Sequence, residues 1–161
     1  MPEYVKKSLF VYESDAEGFV ERLKGNSFGV EVSEYRIDYA KNNYGIDSYT
    51  SLCDFDDNSI DLIISNQSLE HISDIRNKLD LIEQKLSLGG LTYITVPDSS
   101  KETKMLKKGA FQPLEHINSF TSKSRDYLFS DNMKHKFMIK NLRKGSGTIW
   151  LFKKVKNIKY S

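Results

Sequence analysis

A few short segments of this 161-residue chain carry side chains able to do chemistry, and their spacing limits what that chemistry can be. Glu13-Ser14-Asp15-Ala16-Glu17-Gly18 follows a β-like run, LFVYE. A nucleotide-type ligand held there needs glycines so that backbone amides can approach it, and Gly18 is the one present. Asp15 and Glu17 disfavour a pyrophosphate but tolerate a cationic ligand. Glu31 stands 18 residues after Glu13, at the end of a second run, SFGVEV. A carboxylate in that position can accept two hydrogen bonds from a ribose diol, and otherwise is a solvated strand-end acid. His71 and His116 also follow strand ends, and imidazole titrates near neutrality, so each is a candidate base or a hydrogen-bonded loop histidine. Cys53 is the only cysteine, which excludes an internal disulfide and a cysteine-based zinc cluster. The histidines, His71, His116 and His135, show no ligand spacing, so no metal is expected.

The elements that must position these groups follow from hydrophobic period. Short β-like runs alternate with helical stretches, the pattern of a doubly wound, Rossmann-like α/β sheet, mostly parallel. Leu9 to Glu13 is the first strand, followed by a helix around Gly18 to Lys24 and a second strand, Ser27 to Val32. Ser33 is placed to cap a helix from Glu34 to Asn43, with Ile37, Ala40 and Tyr44 on one face, and Gly45 closes it. A weak third strand is expected near Ser48 to Leu52. After the acidic turn Asp54 to Asn58 comes a strong fourth, Ile60 to Ser65. Ser73 is expected to cap a helix through Leu86, ended by Gly89-Gly90, before a fifth strand from Leu91 to Val96 that Pro97 stops. An irregular stretch follows, with Lys104 to Phe120 as a candidate substrate loop. Thr121 is expected to cap a short helix to about Ser130. Two final runs, Lys136 to Leu142 and Thr148 to Val155, joined through Lys144-Gly145-Ser146-Gly147, predict an antiparallel hairpin.

The length fits one core, so residues 1–161 are expected to form a single domain. With 39% hydrophobic and 29% charged residues the chain is too apolar for disorder and too charged for a membrane protein. The start of the sequence does not have the order of a signal peptide, which makes the cytoplasm the expected compartment. The net charge of +2 hides a division: residues 1–100 carry 9 basic and 18 acidic side chains (−9), residues 101–161 carry 15 and 4 (+11). The bland reading places Lys134, Lys136, Lys153, Lys154 and Lys156 on exposed faces of edge strands. The sharper one is a positive rim for an anionic partner.

Four segments in order resemble the class I S-adenosylmethionine-dependent methyltransferases, closest to small bacterial members that act on glycans, lipids and other small molecules. They are GVEVSEYRIDYAKNNYGI (Gly29 to Ile46), DDNSIDLIISNQSLEHISD (Asp56 to Asp74), LSLGGLTYITVPD (Leu86 to Asp98) and EHINSFT (Glu115 to Thr121). The resemblance implies S-adenosyl-L-methionine as cofactor. By position, Glu31 binds its ribose, Val32 lies under the adenine, Leu52 and Cys53 flank the adenine edge, and Asn66 and Gln67 adjoin the methionine moiety. Glu13 and Gly18 belong to the first loop, which departs from the family's glycine-rich form by being about two residues shorter, with one glycine. S-adenosylhomocysteine is accordingly expected to bind weakly, and an inactive methyltransferase-fold partner protein is the alternative.

His116 and His71 are the expected bases. The segment after the fourth strand, Asn66-Gln67-Ser68, is not the Asn/Asp-Pro-Pro-aromatic arrangement of enzymes that methylate exocyclic nitrogens, so an oxygen of a small-molecule or glycan-like acceptor is the default. Lys104, Lys107 and Lys108 make an anionic acceptor attractive. Nucleic acid is disfavoured as a partner, and the sequence leaves a homodimer open.

Overall fold

A computed structural model describes residues 8–11, 27–99, 116–121, 123–140 and 147–156, with the side chains of 8–11 and 135–140 outside the description. The strands are β1 (Ser8–Val11), β2 (Ser27–Val30), β3 (Asp47–Tyr49), β4 (Ile60–Asn66), β5 (Leu86–Pro97), β6 (Met133–Lys140) and β7 (Gly147–Lys154). They form one seven-stranded sheet in the order β3-β2-β1-β4-β5-β7-β6. β1 pairs in parallel with both β2 and β4, and β4 pairs in parallel with β5. β7 runs antiparallel to β5 on one side and to β6 on the other, as the expected hairpin requires. The strand order reverses between β1 and β4, which opens a cleft at the carboxyl ends there.

β4 shows why the centre of the sheet lies where it does. Ile63, Ile64 and Ser65 are buried in succession, as in a strand covered on both faces. Helix α1 (Glu34–Tyr44) covers less: Ile37, Ala40 and Tyr44 are its half-buried positions, none is fully buried, and Gly45 ends it in the left-handed region at φ 66°. Ser33 occupies its N-cap position without a side-chain cap. Helix α2 (Ile75–Lys85) packs deeper, burying Leu79 and Ile82 with Leu52, Ile63, Ile94 and Trp150.

Several local expectations need correction. The α2 cap is Asp74, whose carboxylate accepts the Asn77 N–H at 3.3 Å, and not Ser73. Gly89-Gly90 does not end the helix, because Leu86 already has extended backbone and begins β5. The two glycines instead serve an irregularity inside the strand: the pairing slips between Ile60/Leu86 and Leu62/Leu91, with Gly89 at φ 87°. A Cβ on Gly90 would meet the Ser87 carbonyl at 2.9 Å. The segment after Thr121 forms only a 3₁₀ turn, Ser124–Tyr127, which Arg76 ties to α2 through the carbonyls of Tyr127 (2.8 Å) and Leu128 (3.0 Å). Lys154 is not a surface residue of an edge strand. β7 is internal to the sheet, and Lys154 is 1% exposed. The helix expected near Gly18 to Lys24 and the turn residues Lys144 to Ser146 lie outside the described residues.

Candidate active site

Glu31 is the first residue beyond β2, and the chain there turns sharply into α1. Its carboxylate is buried and accepts the Ser33 N–H at 2.9 Å and Arg36 Nη1 at 3.4 Å, so it is both neutralised and aimed by its own helix start. Val32 lies beside it with 82% of its surface exposed, an aliphatic side chain at a strand end that no described residue covers. Across β3, the sequence Ser51-Leu52-Cys53-Asp54 closes a tight turn through a capping box. Ser51 Oγ accepts the Cys53 N–H at 3.1 Å, and Asp54 Oδ2 accepts the Ser51 N–H at 3.3 Å. That turn sends Leu52 into the core, wholly buried, and leaves Cys53 exposed. Any contact of Leu52 with an adenine edge would therefore be made by its backbone. Lys78 of α2 lies near Cys53; burial lowers its pKa below the ordinary lysine value, and the charge of Cys53 acts in the opposite direction.

At the end of β4, Asn66 and Gln67 are fixed by β5. The Thr95 hydroxyl donates to Asn66 Oδ1 at 2.6 Å, and the Gln67 N–H donates to the Thr95 carbonyl at 3.0 Å. Gln67 takes a left-handed backbone, φ 50°, unusual for a residue with a side chain. The chain then makes a 3₁₀ turn, Leu69–His71, in which Leu69 and Glu70 are buried and His71 is half-buried.

His116 arrives at this turn from the far side of the sequence. Asn118 docks its segment there: its N–H donates to the Glu70 carbonyl at 2.9 Å, and its amide nitrogen donates to the carbonyls of Leu69 (3.1 Å) and Ile72 (2.6 Å). Phe120 anchors the next step, buried at 5% exposure edge-on to Trp150 with ring centroids 6.1 Å apart, while its carbonyl accepts the Ser99 N–H. The result brings the two imidazoles into edge-to-face contact, centroids 4.9 Å apart at 76°. Glu70 completes the group: one ligand atom from each of Glu70, His71 and His116 lies within 4.8 Å of the others.

The structure therefore places Glu31, Val32, Cys53, Asn66, Gln67, His71 and His116 at the carboxyl-end edge of the sheet, Leu52 beneath it, and leaves Glu13, Gly18 and residues 104–115 outside the described residues. Sequence reasoning missed Glu70 and Asn118. They stand in the motifs LEH and HIN, and the signal was a polar side chain close to each histidine, of which Asn118 braces the backbone of the LEH turn. It also read the histidines as unrelated, whereas the fold joins two of them.

No helix among the described residues is long and apolar enough to cross a membrane. No curated protein matches the chain by sequence. Solved structures share its fold. A type 11 methyltransferase of Sulfolobus solfataricus matches with TM-score 0.72 at 12% identity, over 97% of this chain and 88% of its own. An S-adenosylmethionine-dependent methyltransferase of Mesorhizobium loti gives 0.69 at 14%, over 96% and 94%. The N-methyltransferase NodS of Bradyrhizobium japonicum, in complex with S-adenosyl-L-homocysteine, gives 0.70 at 14%, over 94% and 79%. The family described as a methyltransferase domain matches residues 14–132, about three quarters of the sequence, and the chain belongs to that family, whose methyl donor is S-adenosylmethionine.

Proposed function

We propose that this methyltransferase transfers the methyl group of S-adenosylmethionine to an oxygen of a small-molecule or glycan-like acceptor. The observation that carries the reading is the imidazole pair: Asn118 holds His116 against His71 immediately beyond Asn66 and Gln67, at the strand end where the donor's methionine moiety belongs. The residues present fit the donor. A buried carboxylate at the end of β2, an exposed Val32 beside it and an exposed Cys53 across β3 match, in order, a ribose, an adenine face and an adenine edge.

Bound S-adenosylmethionine supplies an already activated sulfonium methyl, so the protein's task is positioning. Glu31, its carboxylate directed by Arg36 and the Ser33 amide, would accept hydrogen bonds from the ribose hydroxyls. Asn66 and Gln67, tied to Thr95, set the floor beneath the reacting centre. His116 takes the acceptor's hydroxyl proton or orients the acceptor, and His71 backs it edge-on.

Isothermal titration with S-adenosylhomocysteine, followed by an assay for its release with hydroxyl- and carboxyl-bearing acceptors, tests this. Binding weakened in Glu31→Ala, with turnover but not affinity lost in His116→Ala, is the expected result. Absence of binding by the wild type would favour a fold-only partner protein instead, in line with the single glycine of the first loop.

A further inference from the structure

We propose that Glu70, His71 and His116 form a three-ligand site for a divalent transition ion of the Zn²⁺, Co²⁺ or Mn²⁺ class, with an open coordination position facing the cleft. The donor set is two imidazole nitrogens and a carboxylate oxygen, which suits such ions and suits Mg²⁺ or Ca²⁺ poorly, since those prefer oxygen alone.

The geometry is that of a site close to closure. Ligand atoms about 2.0–2.1 Å from a tetrahedral ion stand about 3.4 Å apart. Here the three lie within 4.8 Å, so an ion would need the two half-exposed imidazoles to turn inward by about an ångström. Their backbones need not move. Asn118 bonds to the carbonyls of Leu69, Glu70 and Ile72, so the segment bearing one ligand is locked to the turn bearing the other two. Such outer bonding is what holds first ligands in place for a metal.

Charge points the same way. Glu70 is 1% exposed, and a carboxylate so deeply withdrawn from water is stabilised by positive charge close by. An ion between Glu70 and the two rings would lie directly against that carboxylate. Since His71 and His116 are only half-buried, the fourth position opens outward, as in sites where three protein ligands leave room for a small oxygen ligand.

Only the identity of that outer ligand rests on the methyl-transfer reading: there it is the acceptor's oxygen, and His116 then positions the acceptor through the ion. This narrows the acceptor to molecules with an oxygen able to ligate a metal.

The test uses protein stripped with a chelator and titrated with Co²⁺, read by the visible absorption of the bound ion. One equivalent should saturate the signal, Zn²⁺ should displace it, and Mg²⁺ in excess should not. His71→Asn and His116→Asn should each weaken Co²⁺ binding at least tenfold, and Asn118→Ala by about ten- to a hundredfold, the range for lost outer-shell support. A measurement on the wild type alone guards against misfolded variants: Zn²⁺ should slow modification of His71 and His116 by diethyl pyrocarbonate.

Failure of Co²⁺ to bind stoichiometrically, unchanged binding in both histidine variants, or displacement by Mg²⁺ at equal concentration would overturn the site. Calorimetry with S-adenosylhomocysteine on the same samples separates the two readings. Cofactor binding without Co²⁺ binding sinks the metal site and spares methyl transfer; Co²⁺ binding without cofactor binding does the reverse.

Discussion

Two polar clusters sit at opposite ends of the same sheet, both buried under apolar layers, and they differ in what they leave open to water. At the amino ends of β4 and β5, Lys154 Nζ donates to Asn58 Oδ1 (2.8 Å) and to the carbonyls of Glu83 (2.8 Å) and Leu86 (2.7 Å). The Glu83 carboxylate accepts from Ser130 Oγ (2.5 Å) and Asn132 Nδ2 (2.8 Å). Both residues are 2% exposed or less, and the ammonium has used all three donors. At the carboxyl ends, Glu70 is as deeply buried, but its neighbours are half-exposed imidazoles that keep one face open to a ligand. Burial with every bond saturated staples the fold. Burial beneath groups that keep one face in water leaves the cluster reachable from outside.

The largest expected effect breaks the lower cluster. Lys154→Met should lower stability by about 2–4 kcal/mol, because buried acceptors left without a donor cost about 1–3 kcal/mol each, partly offset by removal of the charge's own desolvation. Urea unfolding measures it, and cofactor affinity should stay as in the wild type. A Lys154→Met variant as stable as the parent would show that the lower cluster clamps nothing.

The upper cluster should answer in the opposite way. His116→Ala should cut turnover roughly a hundredfold with stability changed by less than about 1 kcal/mol. Steady-state kinetics beside a thermal melt gives both numbers, and a large stability loss with normal turnover would exchange the roles of the two ends.

Glu31→Ala sharpens the comparison at the donor side. Losing charge-assisted hydrogen bonds worth about 1.5–3 kcal/mol weakens S-adenosylhomocysteine binding about ten- to a hundredfold or more. An unchanged dissociation constant in calorimetry would remove Glu31 from the ribose.

The smallest effect is in pH. Burial lowers the Lys154 pKa below the usual lysine value, while the charges of Glu83 and Asp57 oppose the shift. A lysine with a lowered folded-state pKa releases its proton earlier than the unfolded chain does. Between the folded value and the unfolded one near 10.5, the unfolded state therefore holds more protons, and this group makes stability rise with pH. Denaturant midpoints across that alkaline window should show the upward contribution in the wild type and its loss in Lys154→Met.

Period and punctuation made the sheet legible before any coordinates. Ile37, Ala40 and Tyr44 do form the inward side of α1, Gly45 does end it, and the last two runs do pair antiparallel. What local pattern could not supply was tertiary choice. Gly89-Gly90 reads as a helix stop because that is the commonest use of such a pair, yet the bulge between β4 and β5 needed them more. Lys154 reads as surface because lysines usually are; only the insertion of β7 between two strands takes it inside. The place of Glu31 at the end of β2 was readable from the second β-like run. The meeting of His71 and His116, 45 positions apart, was not, since it depends on Asn118 finding three carbonyls that only the folded turn brings together.

The position of β7 also dictates an order of assembly. β6 comes first in the chain, but among the described residues its sheet partner is β7 alone, and β7 is also what pairs with β5. The sheet therefore cannot grow in the order of synthesis: until Gly147–Lys154 has been made, β6 has nowhere to add, and the edge of β5 is a bare row of backbone donors and acceptors inviting another chain. A product truncated before Gly147 should be recovered as aggregate, and a refolding chain should gain protease resistance in one late step, when β7 pairs with β5 and carries β6 in with it.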